Sequence, residues 1–166
     1  MARVAEAAGV SVGSLYQYFP NKAAILFRLQ SDEWTQTIDL LRGVLEDVQR
    51  PPLERLRILV HAFVRSECEE VEVRVALNDA APLYRDAPET QEAMAEGDLI
   101  VRRFMREALP EASEATREIA SDLVTTTFSE VGRRFSENPR TSAEINAYAD
   151  AMADMFCAYL RSLGHR

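Results

Sequence analysis

An all-α fold is predicted for this 166-residue chain by three features of its sequence. Apolar residues recur at three- and four-residue steps along most of its length, the spacing of one helix face. The seven prolines (Pro20, Pro51, Pro52, Pro82, Pro88, Pro110 and Pro139) fall between those periodic segments, where they punctuate helices. Only V-E-V-R-V-A-L, residues 71–77, alternates with period two. A single strand would have no pairing partner, so context assigns that stretch to helix as well.

The first element is a helix over residues 3–8, with Val4, Ala5 and Ala8 three and four positions apart on one side. Gly9 stands where a helix needs a left-handed stop, which glycine adopts without a Cβ penalty. Ser11 is placed to cap a second helix over residues 12–19 by accepting from a free backbone N–H. Leu15 and Phe19 face inward in that helix; Ser14, Gln17 and Tyr18 point elsewhere, and Tyr16 lies at the flank. Helix, glycine turn, short helix is the layout of a helix-turn-helix. Hydroxyls and an amide on the outer side suit phosphates and base edges.

The run A-E-A-A-G-V-S-V-G-S-L-Y-Q-Y-F-P-N-K closely resembles the DNA-binding signature of the TetR (tetracycline-repressor-like) family of bacterial regulators, over residues 4–26. The resemblance implies a DNA-binding region over residues 1–26 and a helical effector-binding and dimerisation domain over residues 27–166. Ser14, Gln17 and Tyr18 are then expected in the major groove, with Ser11, Tyr16 and Lys22 on phosphate. Val12 and Gly13 let the backbone approach closely, and apolar Val12 adds specificity through a thymine methyl or through shape. Family members carry a further helix before this pair, whereas Met1 falls almost at the start of the second. A segment preceding Met1 is therefore expected, since the pair alone is too small to bury its apolar residues.

Composition is compatible with this reading. A 47% hydrophobic share supports a packed core, in one domain or one domain with a small appendage. The chain carries a net charge of −8, yet residues 1–30 hold Arg3, Lys22 and Arg28 against Glu6, so that end is +2 and the rest −10. A basic end on an acidic body lets one end meet phosphate while the other is repelled. No apolar run approaches the roughly 18 residues of a membrane span, and no signal peptide is recognisable, so a cytoplasmic protein without a membrane partner is expected. Cys68 and Cys157 are far apart and match no metal spacing; buried, reduced thiols are expected, with a redox sensor as the alternative.

Asn21 can cap a long helix over residues 22–48, in which Leu26, Leu29, Trp34, Ile38, Leu41, Leu45 and Val48 recur along one side. At 1.5 Å per residue it is about 40 Å long. It resembles the family's connecting helix, a rod through which a shift at one end reorients the other. Pro51 and Pro52 open the next helix, whose apolar face is Leu53, Leu56, Leu59, Val60, Phe63 and Val64. Pro82 and Pro88 bracket a loop. A helix over residues 89–108 follows, with Gly97 inside it marking a kink or a close approach.

The last third reads as two helices. Residues 113–136 carry Ile119, Leu123, Val124, Phe128, Val131 and Phe135. Thr141 and Glu144 form a capping box for the final helix, which carries Ile145, Tyr148, Met152, Phe156, Tyr159, Leu160 and Leu163 and stops at Gly164. The family places this pair in a four-helix dimer interface, which implies Leu123, Phe128, Val131, Met152, Phe156, Tyr159 and Leu160 as interface residues. A two-fold dimer presents two reading helices one DNA turn apart to a palindrome.

Catalysis has little support. The two histidines are His61 and His165, and the sequence has no nucleophile elbow, phosphate-cradling glycine loop or metal-spaced cluster. No cofactor, metal site or enzymatic activity is expected. His61, Phe63, Asn78, Tyr84, Met94 and Phe104 are candidates to line a pocket for a small hydrophobic effector. The expectation is a homodimeric transcriptional regulator, a repressor released from a palindromic operator by such an effector. The alternative is a dimerising, ligand-sensing helical module that no longer binds DNA.

Overall fold

A computed structural model describes residues 1–71 and 87–164. Among these residues the chain is helical, with no strand: α1 (Ala2–Ala7), α2 (Val12–Tyr18), α3 (Lys22–Leu45), α4 (Pro52–Glu69), α5 (Pro88–Ala108), α6 (Glu114–Ser136) and α7 (Ser142–Gly164). The stretch expected as helix over residues 71–77 lies outside the described residues apart from Val71. None of the helices is long and apolar enough to cross a membrane.

Side-chain caps set several of the starts. Asn21 Oδ1 accepts from the Ala24 N–H at 2.9 Å, and Ser113 Oγ from the Thr116 N–H at 3.1 Å. Thr141 and Glu144 form the expected reciprocal box: the Thr141 N–H donates to Glu144 at 2.8 Å, and the Glu144 N–H donates to Thr141 Oγ1 at 3.3 Å. Hydrogen bonds from the Thr141 backbone and hydroxyl hold the Glu144 carboxyl below its ordinary range. The connecting helix ends at Leu45, three residues earlier than its apolar pattern suggests. Val48 is exposed in the turn that follows, where Asp47 accepts from the Gln49 N–H.

α4 is the centre of the body, packed along α7 and also against α3, α5 and α6. Leu56, Leu59, Val60 and Val64 of α4 are buried with Met152, Ala153, Phe156, Cys157 and Leu160 of α7. Burying each large aliphatic side chain contributes about 1.5–3 kcal/mol, and this seam holds the greatest number of them. Three phenylalanines continue the core across α4, α6 and α7: Phe63 meets Phe128 edge-on at 4.8 Å, and Phe128 stacks on Phe156 at 5.2 Å. Gly132 lets α6 come close at this point, since a Cβ there would lie 2.5 Å from Phe63 Cε1.

α3 runs along α5. Gly97 marks a close approach, its Cβ position lying 3.3 Å from Ile38 Cδ1. Ion pairs Arg42–Glu96 and Arg103–Glu46 link the two helices along the same seam. The far end of α3 is tied down by Arg55 of α4, a guanidinium with 0% of its surface exposed. Arg55 donates to the Leu45 carbonyl and to Glu107, and it lies over the Phe104 ring at 5.8 Å. Such a charge is tolerated in a core only because carboxylate, carbonyl and π-face replace its water.

Candidate nucleic-acid interface

The N-terminal helical pair is built around Ala5 and Leu15, its two buried apolar residues. The sequence pattern groups Val4 and Ala8 with Ala5, but in the structure both are exposed. Gly9 adopts φ +66°, the left-handed value its position requires. Its N–H donates to the Glu6 carbonyl, and the Val10 N–H reaches back to the Ala5 carbonyl at 3.0 Å, closing α1.

Ser11 then caps α2. Its Oγ accepts from the Ser14 N–H at 2.9 Å and lies 2.9 Å from Ser14 Oγ. Two hydroxyls in contact share one hydrogen, so one proton of the pair remains for an outside acceptor. α2 is capped at Phe19, whose backbone turns extended (φ −130°), whose N–H donates to the Leu15 carbonyl and whose side chain is half-buried. Pro20 and the Asn21 cap follow, and Lys22 becomes the first residue of α3. One short stretch thus displays Ser11, Val12, Gly13, Ser14, Tyr16, Gln17, Tyr18 and Lys22, all exposed. Of the nearby cations, Arg28 is engaged by Asp32 at 3.0 Å.

Among the described residues, the effector-pocket candidates do not converge. His61 and Phe63 are two positions apart on α4, so they leave the helix on different sides. His61 Nε2 lies 3.0 Å from Asp150 of α7, while Phe63 packs on Phe128. Met94 and Phe104 are ten residues apart on α5, about 15 Å along its axis. Met94 faces solvent and Phe104 is core. Asn78 and Tyr84 lie outside the described residues. The structure instead shows a groove of about 380 Å³ between α3 and α5, lined by Ser31, Trp34, Thr35, Ile38 and Ala93 with Glu89, Glu92 and Glu96. Trp34 was legible as part of the α3 stripe, but the facing residues of α5 gave no local signal.

The interface candidates fall in different environments within the protomer. Phe128, Met152, Phe156 and Leu160 are buried inside the protomer, and Val131 and Tyr159 pack partly against the same core. Of the seven, Leu123 is exposed, together with Ile119 one turn before it. On α7 the outward stripe is Ala147, Ala151, Met155 and Ala158, with Met155 51% exposed. Cys157 is buried and Cys68 half-buried, and burial pushes both thiols up from their ordinary range, away from the reactive thiolate.

Sequence comparison agrees with this architecture. Residues 1–29 match the family described as bacterial regulatory proteins, tetR family, and residues 51–163 match the tetracyclin repressor-like C-terminal domain. A relative in Rhodococcus jostii (strain RHA1), HTH-type transcriptional repressor KstR, is 34% identical over 106 residues. The match covers 64% of this chain and 48% of KstR, so it spans about half the length of that relative. With a helix-turn-helix pair ahead of the matching helical body, the protein belongs to the TetR family of bacterial regulators.

Proposed function

We propose that the protein is a DNA-binding transcriptional regulator, a repressor acting as a homodimer on a palindromic operator in the cytoplasm. The observation that carries the reading is α2: a capped helix held by Leu15 against α1, with its whole outer side uncovered on the basic end of an acidic protein. Gln17 is its amide reader of base edges; Lys22, Tyr16 and the free proton of the Ser11–Ser14 pair serve phosphates. The exposed stripes on α6 (Ile119, Leu123) and α7 (Ala147, Ala151, Met155, Ala158) form the dimer face. Small side chains there allow close helix approach, and the protomer's own core does not need them. KstR is a transcriptional repressor by its description, which supports the direction of control.

The position of the α3–α5 groove supports release by a small effector with an apolar part that meets Trp34 and Ile38. A molecule held against Trp34 and Ile38 touches the same helix that carries Lys22 at its start, so occupancy biases the placement of α2. Selection from a randomised duplex library tests the reading, followed by fluorescence anisotropy across a salt series. The expected result is enrichment of an inverted repeat bound two protomers per duplex, with affinity falling as salt rises. Failure to enrich any sequence, with the protein folded and dimeric, would leave the ligand-sensing module without DNA binding as the better reading.

A further inference from the structure

We propose, resting on the effector-release reading above, that the groove between α3 and α5 takes an organic cation, a quaternary or protonated amine carried on a small apolar body.

The two helices meet along a seam whose far part is closed by ion pairs, Arg103 with Glu46 at 2.8 Å and Arg42 with Glu96. Towards the start of α5 the acidic half of that pattern continues alone. Glu92 and Glu89 stand four and seven positions before Glu96, on the same face of α5 and in the wall of the groove. Opposite them α3 presents Ser31, Trp34, Thr35 and Ile38, with no Lys or Arg. Neither Glu89 nor Glu92 makes an ion pair or a side-chain hydrogen bond among the described residues. Like charges one turn apart disfavour a helix. Glu89 has a local use beside the positive start of α5, but Glu92 lies beyond the first turn and has none.

The charge of the lining selects the ligand. Asp39, Glu89, Glu92 and Glu96 face Arg42, a net of −3, and Arg42 is already shared between Asp39 and Glu96. An anion meets no uncommitted cation there. An uncharged apolar molecule fills the wall of Trp34, Ile38 and Ala93 but leaves both glutamates unmatched. An organic cation satisfies both surfaces. Its charge lies between the Glu89 and Glu92 carboxylates, and its alkyl groups pack on the indole, whose π-system attracts positive charge. Trp34 meets the Phe27 ring edge-on at 6.4 Å, which holds the indole plane in place. At about 380 Å³ the groove admits one aryl or short alkyl ammonium.

Trp34 is the one tryptophan of the chain, so its fluorescence reports on this groove directly. Phenyltrimethylammonium, its uncharged isostere tert-butylbenzene and the anion 4-tert-butylbenzoate are titrated at low and high salt into the wild type and the Glu89→Gln, Glu92→Gln double variant. Circular dichroism first confirms that both are folded. The cation should bind the wild type about tenfold more tightly than tert-butylbenzene, through the indole and the two carboxylates together. That advantage should vanish in the double variant and shrink as salt rises, while tert-butylbenzene binds both proteins equally. Equal binding of cation and isostere, preference for the anion, or an unchanged cation affinity in the double variant would overturn the assignment, and none of these touches DNA binding. The cation is then added to the protein on its selected duplex. Displacement of the duplex supports both readings. A cation that binds the groove and leaves the duplex bound keeps the ligand class and overturns release through this groove.

Discussion

Gly13→Ala separates folding from function more sharply than any other substitution in α2. Outside its own turn of helix the new methyl meets only Ser11 Oγ, at 3.8 Å, and the backbone there is helical, so the folded state accepts it without strain. Replacing glycine by alanine at such a position stabilises by about 0.4–1 kcal/mol, chiefly by restricting the unfolded chain. For a protein of this size that raises Tm by about 1–4 °C. The same methyl intrudes where the bases must come close. A steric insertion of this size costs about 1–3 kcal/mol at each half-site, and a dimer meets it twice. Affinity should then fall by at least about 30-fold. Differential scanning calorimetry and fluorescence anisotropy on one preparation read both effects. A more stable variant that binds DNA as tightly as the wild type would refute the argument that Gly13 faces the bases.

Other substitutions probe the body. Gly132→Ala pushes a methyl to 2.5 Å from the Phe63 ring, so it should lower stability by about 1–3 kcal/mol in a urea titration, opposite in sign to Gly13→Ala. Glu107→Ala leaves the fully buried Arg55 without its carboxylate and should cost about 2–3 kcal/mol. Arg55→Met should cost less, because half-exposed Glu107 returns to water, and chemical denaturation of both variants checks the order. Met155→Glu and Ala151→Glu place charges on the outward face of α7 and should convert the dimer to monomer in sedimentation velocity without unfolding it. Glu144 is held below its ordinary pKa, so its capping contribution is complete above about pH 4.3 and fades as pH falls through the lower folded value. The acid side of a Tm-against-pH curve should therefore flatten in Glu144→Gln.

The parts of this fold that were legible in the sequence are those whose causes are local. Gly9, Ser11, Asn21 and the Thr141–Glu144 pair act on backbone groups within three or four residues, and each terminates or starts a helix where the sequence suggests. Partner choice is different in kind. The apolar stripe of α7 is visible from Ile145 to Leu163, yet periodicity does not say that α4 takes Met152, Phe156 and Leu160 for the protomer's own core. Arg55 looks like a surface arginine until the α3 end and Glu107 converge on it from 10 and 52 residues away. The described pocket candidates show the same limit: residue type alone put His61 beside Phe63 and Met94 beside Phe104, and helix geometry separates both pairs.

The way α3 is anchored divides it into two unequal arms. Its buried residues are Ile38 and Leu45, and Arg55 and the Arg42–Glu96 and Arg103–Glu46 pairs act from residue 42 onward. None of residues 22–37 is fully buried. About 24 Å of helix runs from Ile38 to Lys22 without a fully buried residue, and the Ile38–Gly97 contact stands at the near end of that arm. A tilt of about 5° there, small against the scatter of helix packing angles, carries the Lys22 end by about 2 Å. In the proposed dimer, the separation of the two α2 helices would then respond to one methyl-on-glycine contact inside the protomer.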